Sequence, residues 1–212
     1  MKPAVRASFV AFTVPFEGNT SWMYLDIIGL VTTGRGNLID PVSQALGLPW
    51  KQTSGGNFGA DATQDQIVAE WTRVKGLQVM AKGGGYAFSK VTTLRLHPDD
   101  VDALTFAKAD EMWAKLLVRF PGLASWPCDA QLGVLSMAWA MGPMFAFPHF
   151  AQAANDPAGP DFVKMSVECI MTKPPVPAAR NAANVNLFLN ASRAADPDVL
   201  YWPSVLPAAT VA

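Results

Sequence analysis

Three residues in the stretch Phe16 to Asn37, FEGNTSWMYLDIIGLVTTGRGN, have types and spacing that could do chemistry: Glu17, Asp26 and Thr32. Cleaving a glycosidic bond requires two carboxyl groups in unlike surroundings, one protonated to donate to the leaving oxygen and one ionised. Glu17 follows an apolar helix-like run and is flanked by Phe16 and, across the turn, Trp22, surroundings that favour an acid. Asp26 stands at a turn among exposed backbone donors, which favour the anion. A hydroxyl beside the pair could hold the attacking water. Thr32 lies one hairpin arm beyond Asp26, and strand alternation puts Leu30, Thr32 and Gly34 on one face and Val31 and Thr33 on the other, so only one threonine can point at the carboxylates.

These residues need elements to hold them. Residues 4 to 14 suit a short helix, which Pro15 is expected to end or kink, leaving Glu17 just past its C-terminus. The β-branched and aromatic runs on either side of Asp26–Gly29 suggest a hairpin or small sheet. From Asp40 to Ala62 the chain reads as loop. Thr63-Gln64-Asp65-Gln66 is a capping box that opens a helix through about Lys75. KGGGYAFS, residues 82–89, reads as a flexible loop and VTTLRL as a strand. His97-Pro98-Asp99-Asp100 starts a long helix ending at Phe120-Pro121-Gly122, acidic in its first turn as the helix dipole favours. Residues 129–141 are apolar almost all round and should be a buried helix. Further helices are expected at about 147–154, 160–171 and 178–192, broken by prolines that include those of 174–177, before a loosely held tail.

The composition bounds what such a chain can do. It has 212 residues, 50% of them hydrophobic and 16% charged, enough to bury a sizeable core in one domain or two packed lobes. A net charge of −1 and no basic block argue against an electrostatic grip on nucleic acid or anionic membrane. No segment approaches the roughly eighteen apolar residues of a membrane span, and the N-terminus has no small-residue cleavage pattern, so neither signal peptide nor stable membrane insertion is expected. The two cysteines, Cys128 and Cys169, read as buried thiols. Neither His97 nor His149 has a second His or Cys at ligand spacing, and the glycines of 83–85 lack the Lys-Ser/Thr of a phosphate loop, so no metal or cofactor is expected.

The pattern Glu17-x8-Asp26-x5-Thr32, joined to Tyr24, Gly29 and the Thr32-x-Gly34-x-Gly36 run, resembles the active-site segment of the phage lysozymes, the endolysins of glycoside hydrolase family 24. Weaker likeness continues through DATQDQIVAEWTRVK, DAQLGVLSMAWAMG and RNAANVNLF. The resemblance implies a mainly α, α+β lysozyme-like domain. A small β-containing lobe of about 16–95 would pack on a helical lobe of about 1–15 and 96–202, with the active-site cleft between them and a tail at 203–212. It implies cleavage of the β-1,4 bond between N-acetylmuramic acid and N-acetylglucosamine in bacterial peptidoglycan, by a monomer held in the host cytoplasm until it reaches the wall. Glu17 would be the general acid, Asp26 the base or electrostatic partner, and Thr32 the residue placing water. Trp22, Tyr24, Asn37 and Tyr86 are candidate substrate contacts. A lytic transglycosylase acting on the same bond, or a wall-binding or virion protein of weak activity, would carry a similar pattern. Asp26 and Thr32 favour hydrolysis, because a transglycosylase has no need of a placed water.

Overall fold

The computed structural model describes residues 1–172 and 178–208. The protein is α+β and mainly helical, with two small antiparallel sheets. It divides into two compact units, Thr13–Lys108 on one side and Met1–Phe12 with Ala109–Ala212 on the other, and both boundaries fall inside helices.

The unit Thr13–Lys108 holds every strand among the described residues. Helix α1 (Pro3–Glu17) leads into β1 (Thr20–Leu25), β2 (Val31–Gly34) and β3 (Asn37–Leu38), a meander in which Tyr24 pairs with Thr32 and Thr33 with Asn37. Helix α2 (Val42–Leu46) precedes a second hairpin, β4 (Lys51–Ser54) and β5 (Asn57–Asp61), and β4 also pairs with β6 (Leu94–Arg95). Helix α3 (Gln64–Gly76) lies between them in sequence, opened by the expected capping box, in which Thr63 and Gln66 satisfy each other's backbone donors. One core joins these pieces, with Met23, Leu25 and Val31 of the first sheet and Ile39 just after it packed with Trp50, Ile67, Val74, Phe88, Leu94 and Leu96.

In the other unit, helix α5 (Cys128–Met141) is buried along nearly its whole length, as its apolar sequence predicts. Its main neighbour is α8 (Ala178–Arg193), with α6 (Pro148–Ala154) and α7 (Phe162–Glu168) beyond. Phe120, at the end of α4 (Pro98–Arg119), forms an aromatic cluster with Trp126, Phe145 and Phe150. Cys128 and Cys169 are buried free thiols.

Several sequence expectations are corrected. Pro15 does not end α1, which runs on to Glu17, with the Gly18 N–H bonded to the Val14 carbonyl at 2.9 Å. Pro15 deprives the Ala11 carbonyl of its helical partner, but both residues are exposed, so water can take the missing donor's place. The segment read as loop between Asp40 and Ala62 contains α2 and a hairpin whose turn, Gly55-Gly56, has φ of 57° and 85°, the positive-φ pair of a tight two-residue hairpin turn. Residues 82–89 fall within two successive 3₁₀ segments, Gln78–Gly83 and Gly85–Lys90, joined at Gly84. In VTTLRL only Leu94 and Arg95 pair as strand. The tail is pinned where it begins. Asn190 donates to the Ser204 carbonyl at 2.8 Å and accepts from the Leu206 N–H at 2.8 Å. The prolines of 174–177 and the tail beyond 208 lie outside the described residues.

Candidate functional site

The meander places the sequence candidates by register. Met23, Leu25, Val31 and Ile39 turn one face of the sheet into the core, so Tyr24 and its partner Thr32 share the other face, and Asp26 and Leu30 extend that face at the hairpin end. Asp26 closes the turn: its Oδ1 accepts the N–H groups of Ile28 at 3.0 Å and Leu30 at 2.9 Å, while its own N–H donates to the Leu30 carbonyl. The Thr32 hydroxyl donates to that same Leu30 carbonyl at 3.2 Å. Thr33, on the core face, donates instead to the Trp22 carbonyl at 3.0 Å.

Tyr24 lies within electrostatic reach of both carboxylates. Burial first, then the negative charge of Glu17, and to a lesser extent that of Asp26, push its phenol up to about 12, against a hydrogen bond with the Gly36 backbone that pulls the other way. Glu17 also lies close to Gly36, where an added Cβ would stand 3.6 Å from Oε2. The last residue of α1, the middle of β1 and the β2–β3 turn therefore converge, with Asp26 at the far end of the same strand face.

Two further candidates join them. Trp22 donates from Nε1 to the Gly85 carbonyl at 2.8 Å, meets Tyr86 edge-on at 5.8 Å, and has the Arg95 guanidinium over its ring. Tyr86 is 65% exposed, and its hydroxyl would lie 3.7 Å from a Cβ placed at Gly18. Gly85 approaches closely: a Cβ there would stand 3.2 Å from the Tyr24 ring, tighter than most side-chain contacts. Trp22, Tyr24 and Tyr86 thus gather beside Glu17 around one glycine of the 3₁₀ segment.

Asn37 does not join them. It is 3% exposed and pairs with Thr33 on the opposite face, where Oδ1 accepts the Arg35 N–H at 3.2 Å and Nδ2 points to the Leu104 carbonyl. Its side chain shapes the β2–β3 turn rather than reaching outward.

Positioning residues escaped the sequence reading because their partners are distant in sequence. Arg35, 3% exposed, binds the Thr105 hydroxyl at 2.9 Å and Asp102 at 2.6 Å, tying the β2–β3 turn to α4. Lys75 reaches from α3 to the Gly29 carbonyl at 2.9 Å and to Asp40 Oδ2 at 2.6 Å, and Asp40 also accepts the Val31 N–H. Burial alone would raise the Asp40 carboxyl, but the hydrogen bond and charge of Lys75, with the Val31 N–H, outweigh it and hold Asp40 below its ordinary value. The turn bearing Asp26 is thereby clamped from beneath. Only Lys75, at the end of an amphipathic helix, offered a signal, and its type there is equally explained by the helix dipole.

The arrangement provides two carboxylates, a phenol that senses both, a hydroxyl on the same face and an aromatic edge. Compared with known family models, curated proteins and solved structures, the chain matches none.

Proposed function

We propose that the protein is a muramidase of the phage-lysozyme type, hydrolysing the β-1,4 bond between N-acetylmuramic acid and N-acetylglucosamine in peptidoglycan. The observation that carries this reading is the common face of Tyr24, Asp26 and Thr32, with Glu17 near enough to act on the Tyr24 phenol. Together with the Glu-x8-Asp-x5-Thr spacing, it is consistent with the pair of carboxyl groups that glycoside cleavage needs. Glu17 donates the proton to the leaving oxygen. Asp26, held by two backbone donors, is the partner carboxylate that activates water or steadies the developing positive charge. Thr32 is itself 4% exposed, so in this reading the water must sit at the rim of its face; the hydroxyl donates to the Leu30 carbonyl and has a lone pair left to accept from that water. Trp22 and Tyr86 line the sugar's path. A role for Thr32 favours hydrolysis over a lytic transglycosylase. Among the described residues no helix is long and apolar enough to cross a membrane. The reading has the enzyme wait in the host bacterial cytoplasm until the wall becomes accessible.

Mass spectrometry of fragments released from purified peptidoglycan tests this. Reducing-end muramic acid is the expected product, and Glu17→Gln should cut its release at least ~10²-fold. Anhydro-muramic acid, or release undiminished in Glu17→Gln, would refute it.

A further inference from the structure

A second concavity in the Thr13–Lys108 unit, of about 420 Å³, opens between α3 and the β4–β6 pair, lined by residues that play no part in the site above. Its size lies within the range of about 300–1,000 Å³ usual for small-molecule sites. Its buried lining is Leu94 and Glu70, each 3% exposed, with the exposed Ala69 beside them. The Glu70 carboxylate is almost fully committed. Oε1 accepts the Leu94 N–H at 2.9 Å, and Oε2 accepts the Thr93 N–H at 2.7 Å, the Thr93 hydroxyl at 2.9 Å and Arg73 Nη2 at 2.8 Å.

Arg73 and Glu70 therefore cancel each other's charge, and what remains on offer is neutral and of both signs. Arg73 spends one N–H on Glu70 and one on the Val91 carbonyl, leaving other guanidinium donors. Gln66 uses only its Oε1, on the Thr63 N–H, and keeps its amide NH₂. Gln52 donates to the Asp61 carbonyl and keeps its amide oxygen. An anion would gain little beside a guanidinium already neutralised by a buried carboxylate. A ligand with several groups that both donate and accept, such as hydroxyls and an acetamido group, matches the mixture. Beside the pocket, Phe58 pairs across the hairpin with the lining residue Thr53 and is 45% exposed, on a strand exposed at every residue. The Phe58 ring packs against His97 with centroids 5.2 Å apart, and its exposed remainder offers an apolar platform to the C–H face of a pyranose.

We infer that this pocket is a saccharide-binding site separate from the Glu17–Asp26 face, taking a neutral N-acetylated hexosamine unit of a glycan strand between Arg73, Gln66 and Gln52, with Phe58 as its platform. The choice of an N-acetylated sugar rests on the muramidase reading; the preference for a neutral polyhydroxylated ligand does not. A second foothold would keep the enzyme on the strand between cleavages.

The test is ¹H–¹⁵N NMR titration of the full-length Glu17→Gln protein with tri-N-acetylchitotriose, and with acetate as an anionic probe. Saturable shifts are expected at the side-chain amides of Gln52 and Gln66 and the backbone of Thr53, Phe58 and Arg73, with no response there to acetate. Gln66→Glu keeps the capping-box acceptor while removing the free NH₂, so the helix should stay intact and affinity should fall at least fivefold; Phe58→Ala should do likewise. Silence at these amides under a saturating excess of chitotriose, or equal binding of acetate, overturns the inference. Binding here in a protein whose wild-type form releases no muropeptides would sink the muramidase reading and leave the neutral-sugar pocket standing.

Discussion

Replacing Asp26 by Asn and by Ala separates its structural work from its chemical work. In the folded chain one oxygen, Oδ1, takes both turn N–H groups, that of Ile28 in an exposed position and that of Leu30 partly buried. Asn retains a carbonyl oxygen in the same place, so Asp26→Asn gives up only the charge assistance, worth about 0.5 kcal/mol or less for so exposed a turn. Asp26→Ala loses both acceptors. Water can replace the oxygen at Ile28 but less readily at Leu30, so the cost is about 1–2 kcal/mol, or about 2–8 °C in Tm for a chain of this size. The catalytic expectation runs differently. Either substitution removes the charged partner and should slow muropeptide release at least ~10²-fold, equivalent to about 2.7 kcal/mol of barrier. Calorimetric scans beside mass-spectrometric rates on purified peptidoglycan measure both quantities in the same preparations. Full-rate release by Asp26→Asn would show that Asp26 is a turn residue and nothing more. An Asn variant as unstable as the Ala variant would show that the Oδ1 hydrogen bonds do not hold the turn.

Tyr24, pushed up to about 12, should ionise well above the ordinary phenol value near 10 in a spectrophotometric titration. Because the folded phenol holds its proton more tightly than the ordinary value near 10, stability should fall as pH rises from 10 toward 12, and Tyr24→Phe should remove that loss. Gly133→Ala would put a Cβ 2.9 Å from the buried Phe188 ring. The helix gains about 1 kcal/mol in propensity but overpacking costs about 1–3 kcal/mol, so the urea midpoint should fall, with Phe188→Leu restoring it. Burial pushes the Cys169 thiol up to about 12 and raises Cys128 as well. A thiol reagent at pH 8 should therefore find no fast-reacting group in the native protein and two after unfolding.

What the sequence determined by itself is what local rules govern. The Thr63–Gln66 capping box, the acidic start of α4 at Asp99 and Asp100, and the apolar run of α5 each specify an element from residues within a turn or two of one another. The two-residue period of β2 separated Thr32 from Thr33 before any neighbour was known. Where the competing forces are non-local, tertiary structure decided. Pro15 stays helical because the carbonyl it strands is exposed, a fact of burial that no propensity contains. Asn37 turns inward because its strand partner is Thr33 and Leu104 offers a carbonyl 67 residues away. The turn bearing Asp26 is held by Lys75 and Asp40, and the aromatic edge by Gly85, contacts that exist only once α3 and the 3₁₀ segment close on the sheet. Residue types and spacing nominated the carboxylates; packing chose which side chains surround them.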